Sequence, residues 1–587
     1  MRGAEVLRVS FLSLFLSVSL PAAAAMSAEQ LTIAYGLLER TIPITDLKTY
    51  ADEGVIAGDL RDYTRFFQPN EMERLRRVLK TEADFSPVAV AQFLYSEQGE
   101  VLLRRLGEVI RTESNLSGFY ALRAAMIFAA GTPEGLTLMT ALEQFPLKDV
   151  RVDLQKALRI LGDLEALVRQ TQGAIALIDQ QSDLEARARP WVAFPSLPDL
   201  RSPGSLTWQK RSLTLTENDP DSPFRHRRTF PADVYLPVIP TESNASSLGV
   251  SSIPPALPNR VPLIVISHGL GSDRTTYAYL AEQLASYGFA VAVPEHPGSS
   301  SQQIQALISG VASEVAEPQE FVNRPLDVKF LLNTLALLDQ SDPDFAGRID
   351  LQNVGILGQS LGGYTALALA GAKINLPQLT QDCTNSESLN LSLLLQCRAL
   401  ELPQPLPELK DDRIKAVIAI NMIGGSLLGK SDLSQVQLPV MIISGTADTV
   451  APSLLEQILP FTWLQSSNKY LTLLQGGTHF STIDVPNAPG TQEGTTIQLP
   501  SEIVGPDPKL AQMYLKAIAT AFFKTYVSNE PEFQPYLGAA YVESISEGLL
   551  PIRLVRSLTA AQLAKVFRQQ PVELEPPGFT PNTWSAQ

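Results

Sequence analysis

The chain has 587 residues, too many for one hydrophobic core, so at least two domains are expected. With 45% hydrophobic and 18% charged residues it reads as globular, neither disordered nor fibrous. A formal charge of −15 argues against nucleic acid as a partner, because neutralising phosphates needs clustered Lys and Arg; it opposes electrostatic adsorption to anionic lipid but not transient contact through an apolar surface.

Residues 1–25 have the form of an export signal. Arg2 and Arg8 make a basic start, and Val9 to Leu20 form an apolar stretch too short to span a bilayer. Ala23-x-Ala25 supplies a small-residue cleavage site, and no Cys adjoins it to take a lipid. The expectation is a protein that is exported, periplasmic or secreted, and soluble after cleavage.

Residues 26–190 read as an all-helical N-terminal domain. Leu75, Val78 and Leu79, then Leu102, Leu103, Leu106, Val109 and Ile110, recur at three- and four-residue spacing. Pro87 and Pro133 follow Ser86 and Thr132, which have the chemistry of N-caps. This part holds no His or Cys and no catalytic constellation.

From Ser205 the pattern changes. Leu213 to Thr216 and Ala232 to Leu236 alternate apolar and polar residues as antiparallel strands do, and Pro237 to Pro262 reads as a long surface loop. Short apolar strands then alternate with helices. Strands are predicted at Leu263–Ser267, Phe289–Pro294, Val354–Leu357, Ala416–Ile420, Val440–Ile443 and Tyr470–Leu474. Helices are predicted at Tyr277–Tyr287, Pro325–Leu338, Leu361 to about Ala372, and Pro508–Tyr526. Such a rhythm implies an α/β domain over 205–526, with a mostly parallel sheet covered by helices on both faces. Residues 374–412 form an apolar, proline-rich insertion that reads either as a lid or as a packed surface excursion. A C-terminal extension, 527–587, carries one clear helix near Thr559 to Phe567.

Within this domain Gly358-Gln359-Ser360-Leu361-Gly362 fits G-x-S-x-G, with a strand before it and a helix after it. In that context the serine stands on a sharp turn as a nucleophile. A serine needs a base, and the chain has four histidines: His226, His268, His296 and His479. His226 lies in a basic turn, Arg225 to Arg228, and His268 and His296 precede the nucleophile. His479 follows the last parallel strand, where the order nucleophile, acid, base puts the general base. Asp448, on the turn after Val440–Ile443, is the carboxylate between them; its task is to hold the imidazole and stabilise the imidazolium. The comparable strand end, Ile420-Asn421-Met422, carries an amide, which cannot supply that charge. The oxyanion hole is assigned to the backbone N–H groups of Leu361 and of Leu270, the latter in the loop after Leu263–Ser267. His268 and His296 read as braces for their own loops. Cys383 and Cys397 make an even count in an exported chain, which implies a disulfide, two buried thiols being the alternative. Two cysteines and four histidines argue against a zinc cluster, so no metal is expected.

Ser-His-Gly-Leu-Gly at 267–271, Glu295-His296, and Gly-Gln-Ser-Leu-Gly-Gly at 358–363 resemble the platelet-activating-factor acetylhydrolase and lipase branch of the α/β-hydrolases, over roughly residues 205–525. The region before them is similar to a domain of unknown function that precedes hydrolases in cyanobacterial proteins. The resemblance implies an α/β-hydrolase fold and cleavage of lipid or small acyl esters without metal or organic cofactor. It also implies backbone oxyanion donors matching Leu270 and Leu361. Animal members of the branch carry the acid where this chain has Asn421, whereas Asp448 matches the commoner hydrolase position; the resemblance therefore carries the ester chemistry further than the acetylhydrolase substrate preference. The expected function is an exported serine hydrolase acting on carboxylic esters through an acyl-enzyme on Ser360. A peptidase or polyester hydrolase on the same triad, or a non-catalytic binding or scaffold protein keeping the fold, is the alternative.

Overall fold

The computed structural model describes residues 27–64, 69–83, 85–191, 198–224, 227–238, 260–384, 388–484 and 504–568. The export signal, His226 and most of the loop 237–262 lie outside them. The described residues form two compact units, one from residues up to Phe85 together with Ile110–Asp153, the other from Ser86–Val109 together with residues from Leu154 onward.

The first unit is not all-helical. Its strands β1 (Gln30–Tyr35), β2 (Leu38–Pro43), β3 (Ile110–Thr112) and β4 (Asp149–Asp153) form a sheet of order β2-β1-β4-β3. β1 lies parallel to β4 and antiparallel to β2. This corrects the helical reading of 26–190: the β1–β4 pairing joins Gln30 to Asp149, and hydrophobic periodicity cannot reveal so distant a partner. Thr132-Pro133 is also not a helix start; the next helix, Leu138–Glu143, is capped by Thr137 instead.

The helical domain boundary shifts as well. Helices α1 (Pro87–Tyr95), α2 (Glu97–Val109) and α3 (Leu154–Ala188) belong to the second unit. Ser86 caps α1 as its sequence suggests, accepting a hydrogen bond from Ala89 N–H ahead of a proline first turn.

The second unit is built on nine strands: β5 (Trp208–Asn218), β6 (Arg227–Pro237), β7 (Val261–Ser267), β8 (Ala290–Pro294), β9 (Ile349–Gln359), β10 (Ile414–Ile420), β11 (Val440–Gly445), β12 (Lys469–Leu474) and β13 (Ile552–Val555). Their order is β13-β12-β11-β10-β9-β7-β8-β6-β5. The stretch from β12 to β8 is parallel, and antiparallel β13 and β6-β5 close its edges. Runs such as Ile414–Ile420 and Val440–Gly445 are buried on both faces, which is why they read as continuous apolar segments rather than alternating ones. After β7 the chain steps to β8 on one side, then returns to place β9 on the other. The carboxyl ends of β7 and β9 therefore flank a topological switch point, where an open α/β sheet leaves a crevice.

Helix α4 (Ser301–Ile308) follows β8, and α5 (Glu320–Ser341) crosses to β9. α5 begins before Pro325, where the sequence suggested its start. Pro325 has no N–H for the Phe321 carbonyl, and the Tyr364 hydroxyl donates to that oxygen instead at 2.7 Å. Helix α6 (Leu361–Leu369), which carries Tyr364, is buried at every residue.

The insertion 374–412 is packed down. Cys383 and Cys397 form a disulfide. The fully buried Glu456 carboxylate accepts from Asn390 Nδ2, from Ser392 Oγ (3.0 Å) and from Gln396 Nε2 (2.8 Å) in the insertion. It also accepts the amides of Gly424 and Gly425, each at 2.8 Å, after β10. Five donors replace water around a charge that would be costly to bury bare. These bonds favour the packed excursion over the lid. The C-terminal extension likewise belongs to the domain, through β13 and through helix Ala560–Arg568 packed on α3. Among the described residues no helix is long and apolar enough to cross a membrane.

Replacing Cys383 and Cys397 by Ser should lower unfolding stability by about 3 kcal/mol, the loop-closure entropy of a bridge across a sequence separation of 14. Guanidinium titrations of the oxidised wild type and the double mutant measure it, and coincident midpoints would contradict the prediction.

Candidate active site

Ser360 stands between β9 and α6 with φ 55° and ψ −118°, a conformation that non-glycine residues adopt only under constraint. The flanking glycines make the turn possible. A Cβ on Gly358 would lie 2.0 Å from the Gly362 carbonyl oxygen, and one on Gly362 would lie 2.0 Å from the Ser267 carbonyl oxygen. Strand β7, the elbow and α6 thus approach more closely than any side chain permits.

The structure brings Asp448 and His479 together: Nδ1 of the imidazole donates to Asp448 Oδ2 at 2.6 Å. The other carboxylate oxygen accepts the amides of Val450 (2.9 Å) and Ala451 (2.7 Å), so both lone-pair faces are occupied and the carboxylate cannot turn away. Both residues are buried, at 6% and 4% exposure, while Ser360 is at 6%. No hydrogen bond joins Ser360 Oγ to His479 in this structure, where the imidazole is tied through Nδ1 to Asp448.

Two residues that sequence reasoning passed over hold the histidine loop against the elbow. Gln359 Nε2 donates to the His479 carbonyl at 3.1 Å. Asn421, at φ 41°, donates from Nδ2 to the carbonyls of Thr478 (2.9 Å) and His479 (3.2 Å). Its Oδ1 accepts from Gly445 N–H at 2.7 Å, tying the ends of β10 and β11 to the histidine loop. An amide serves this post because it donates and accepts at once, which a carboxylate cannot.

Gly269, in the loop after β7, faces the elbow: a Cβ there would lie 3.4 Å from Ser360 Cβ. The next amide, Leu270 N–H, and the first amide of α6, Leu361 N–H, donate no backbone hydrogen bond among the described residues. Behind the loop lies a layer of buried polar groups. His268 Nδ1 donates to the Gly269 carbonyl (2.7 Å) while its Nε2 accepts from His296 N–H (3.0 Å), which defines a neutral ring. His296 Nδ1 meets Asp327 Oδ2 at 2.9 Å and its Nε2 meets Ser267 Oγ at 3.0 Å. Ser267, His296 and Asp327 repeat the connectivity of a serine triad, but all three are at 0% exposure, so the array is a brace and not a second site.

Further charges complete this layer. Arg228, which the sequence places in a basic turn, is the second residue of β6 and is largely buried, its side chain 10% exposed. Its guanidinium forks onto Asp327 (2.7 and 2.9 Å) and reaches Glu320 (2.9 Å). Among the described residues no three His, Cys, Asp or Glu side chains converge as a metal site. A cavity of about 720 Å³ lies under the insertion beside Asn390, Glu456 and Trp463, and neither Ser360 nor His479 lines it.

Burial, and next the Arg324 cation, push the His268 and His296 imidazoles well below their ordinary value. Their folded values lie below that of the unfolded chain, so the unfolded chain takes the proton first as pH falls. Stability from this term is complete above about pH 6.5 and declines below it, by up to about 1.4 kcal/mol per pH unit for each ring. Thermal unfolding followed from pH 7.5 to 5.5 should show that decline, and a His268→Gln/His296→Gln double variant should flatten it. Equal slopes would contradict the prediction.

The family model described as "Alpha/beta hydrolase of unknown function (DUF1400)" matches residues 27–153, and that for "Platelet-activating factor acetylhydrolase, isoform II" matches 246–328. Among curated proteins, the platelet-activating factor acetylhydrolase of Cavia porcellus is 29% identical over 136 residues, and that of Canis lupus familiaris is 27% identical over 139. Each match covers 18% of this chain and 31% of the relative's own length. The second match region contains β7, β8, the His268–Leu270 loop and the start of α5, the segments that make one wall of the crevice. By its sheet and by these matches, the chain has an α/β-hydrolase fold and resembles the platelet-activating factor acetylhydrolases over part of its length.

Proposed function

We propose that this protein is an exported serine hydrolase that cleaves carboxylic esters through an acyl-enzyme on Ser360. The observation that carries the reading is the backbone of Ser360, held at φ 55° on a strand-to-helix turn while the Asp448–His479 pair stands 2.6 Å apart nearby. Such strain persists only where the surroundings impose it, and a nucleophile raised above a sheet is the use this fold makes of it.

In the reaction, Ser360 Oγ bonds to the ester carbonyl carbon as its proton passes to His479 Nε2. The Leu270 and Leu361 amides hold the resulting oxyanion, and Asp448 stabilises the imidazolium through Nδ1. Collapse breaks the bond to the leaving oxygen, which takes the proton from His479 and departs as the alcohol. Water, giving a proton to His479, then attacks the acyl carbon and releases the carboxylic acid and free Ser360. The resemblance to platelet-activating factor acetylhydrolases favours lipid or short-acyl esters as the substrate class. Export rests on Arg2, Arg8, the apolar Val9–Leu20 and Ala23-x-Ala25, and the Cys383–Cys397 disulfide fits an oxidising compartment.

On a chain-length series of nitrophenyl esters, Ser360→Ala should lower kcat/KM by roughly 10⁴-fold or more for every ester the wild type turns over. Unchanged hydrolysis by the mutant would refute the reading. The wild-type optimum along the series distinguishes acetyl from long-acyl preference.

A further inference from the structure

Arg324 is at 0% exposure, and burial lowers its guanidinium to about 10, so it remains a cation at neutral pH. Desolvating a guanidinium completely is expensive, and ordinarily a direct carboxylate partner offsets the cost. Here the hydrogen bonds go elsewhere. Nη1 donates to the His268 carbonyl at 2.6 Å, Nη2 to the Gly269 carbonyl at 3.3 Å, and Nε to Ser299 Oγ at 2.8 Å. Ser299 Oγ in turn donates to Glu320 Oε2 at 2.7 Å. With Arg228, Glu320 and Asp327 alongside, the cluster holds two cations and two anions, so Arg324 is balanced in charge while its donors serve the loop.

The direction of those bonds has a consequence for the site. A trans peptide is planar, with its C=O and N–H pointing opposite ways. Arg324 and His268 Nδ1 both draw the Gly269 oxygen into the interior, so the N–H of the same peptide, that of Leu270, points outward. Gly269 packs against Ser360, and this places the outward amide on the Ser360 side of the loop. Gly271 N–H is already given to the Ser299 carbonyl at 2.9 Å and Ser272 N–H to the Gly269 carbonyl at 3.3 Å, whereas the outward Leu270 N–H is given to no backbone carbonyl among the described residues.

We propose that Arg324 is the positioning residue of the oxyanion hole: by gripping the carbonyls of His268 and Gly269 it aims the Leu270 amide at the reacting carbonyl oxygen. The inference rests on the esterase reading above, because an oxyanion hole has meaning only if Ser360 attacks an acyl group. Arg324 touches no reacting atom and acts through the peptide it holds.

The test compares wild type, Arg324→Lys and Arg324→Met, each checked for native near-UV circular dichroism and normalised by active-site titration. On the best nitrophenyl ester, Arg324→Met should lose roughly 10²–10³-fold in kcat, the effect of removing one oxyanion donor, with KM changed by less than about threefold. Affinity for an aryl trifluoromethyl ketone, whose adduct carries the oxyanion, should fall in parallel, and Arg324→Lys should recover part of both losses. A merely structural role would lower stability and the titrated fraction but leave kcat per active site and ketone affinity unchanged, and that result overturns the proposal. Should the Met variant fail to fold, the Lys variant carries the same comparison. Crystal structures of wild type and Arg324→Met give a readout independent of activity: a rotated Gly269–Leu270 peptide supports the proposal, and an unmoved one overturns it. Ser360→Ala in parallel separates the two claims, since loss of hydrolysis there with full kcat in the Arg324 variants rejects only the positioning role.

Discussion

The close approach of three backbones at the end of β9 governs this structure. Gly358 meets the Gly362 carbonyl, Gly362 meets the Ser267 carbonyl, and Ser360 between them is forced to φ 55°. A non-glycine residue in such a conformation costs of order 1–3 kcal/mol, and the surrounding sheet must supply that energy. It does so with bonds to both sides of the elbow: Ser360 N–H donates to the Ile420 carbonyl at 2.9 Å, and the Ser360 carbonyl accepts from Gly363 N–H at 2.9 Å. The switch in strand order between β7 and β9 determines where this elbow points, into the crevice at the carboxyl ends of the sheet.

Around that elbow the interior is unusually polar. Arg228, Arg324, Glu320, Asp327, His268 and His296 occupy the space behind the β7 loop where an apolar core would cost less to build. Buried ionic networks are weak evidence for stability, since desolvation offsets most of the Coulomb gain. What this one provides is direction. Arg324 and His268 fix the carbonyls of the β7 loop, Asp327 fixes the His296 ring, and Arg228 and Glu320 hold these groups in place. Asn421, Gln359 and the doubly bonded Asp448 play the corresponding part on the histidine side.

Much of the domain was legible in the residues alone. Central parallel strands are buried on both faces, so Leu263–Ser267 or Val440–Ile443 stand out as apolar runs, and the order Ser360, Asp448, His479 follows from where such strands end. Helix α5 shows what was hidden. Glu320, Arg324 and Asp327 share one face at spacings of four and three, which by pattern is the solvated side of an amphipathic helix. The ionic partner of Glu320 and Asp327, Arg228, comes from a strand ninety-odd residues earlier (Arg228 to Asp327 is a separation of 99), a pairing no local window contains. Pro325 likewise suggested a helix start, because the hydroxyl of Tyr364 that satisfies Phe321 lies 43 residues away in sequence, also beyond a local window. The sheet of the first unit and the edge strand β13 escaped for the same reason: short strands are recognisable only with their partners.

The central claim, that Ser360 is activated by His479 for attack on an acyl carbon, can be tested without knowing the natural substrate. A fluorophosphonate reacts only with a serine whose proton a base removes, and it leaves a covalent label that peptide mass spectrometry locates. The account predicts a single label on Ser360, in the tryptic peptide Ile349–Lys373, abolished by His479→Ala. A label on another serine, or unchanged labelling of Ser360 in the His479 variant, would contradict it.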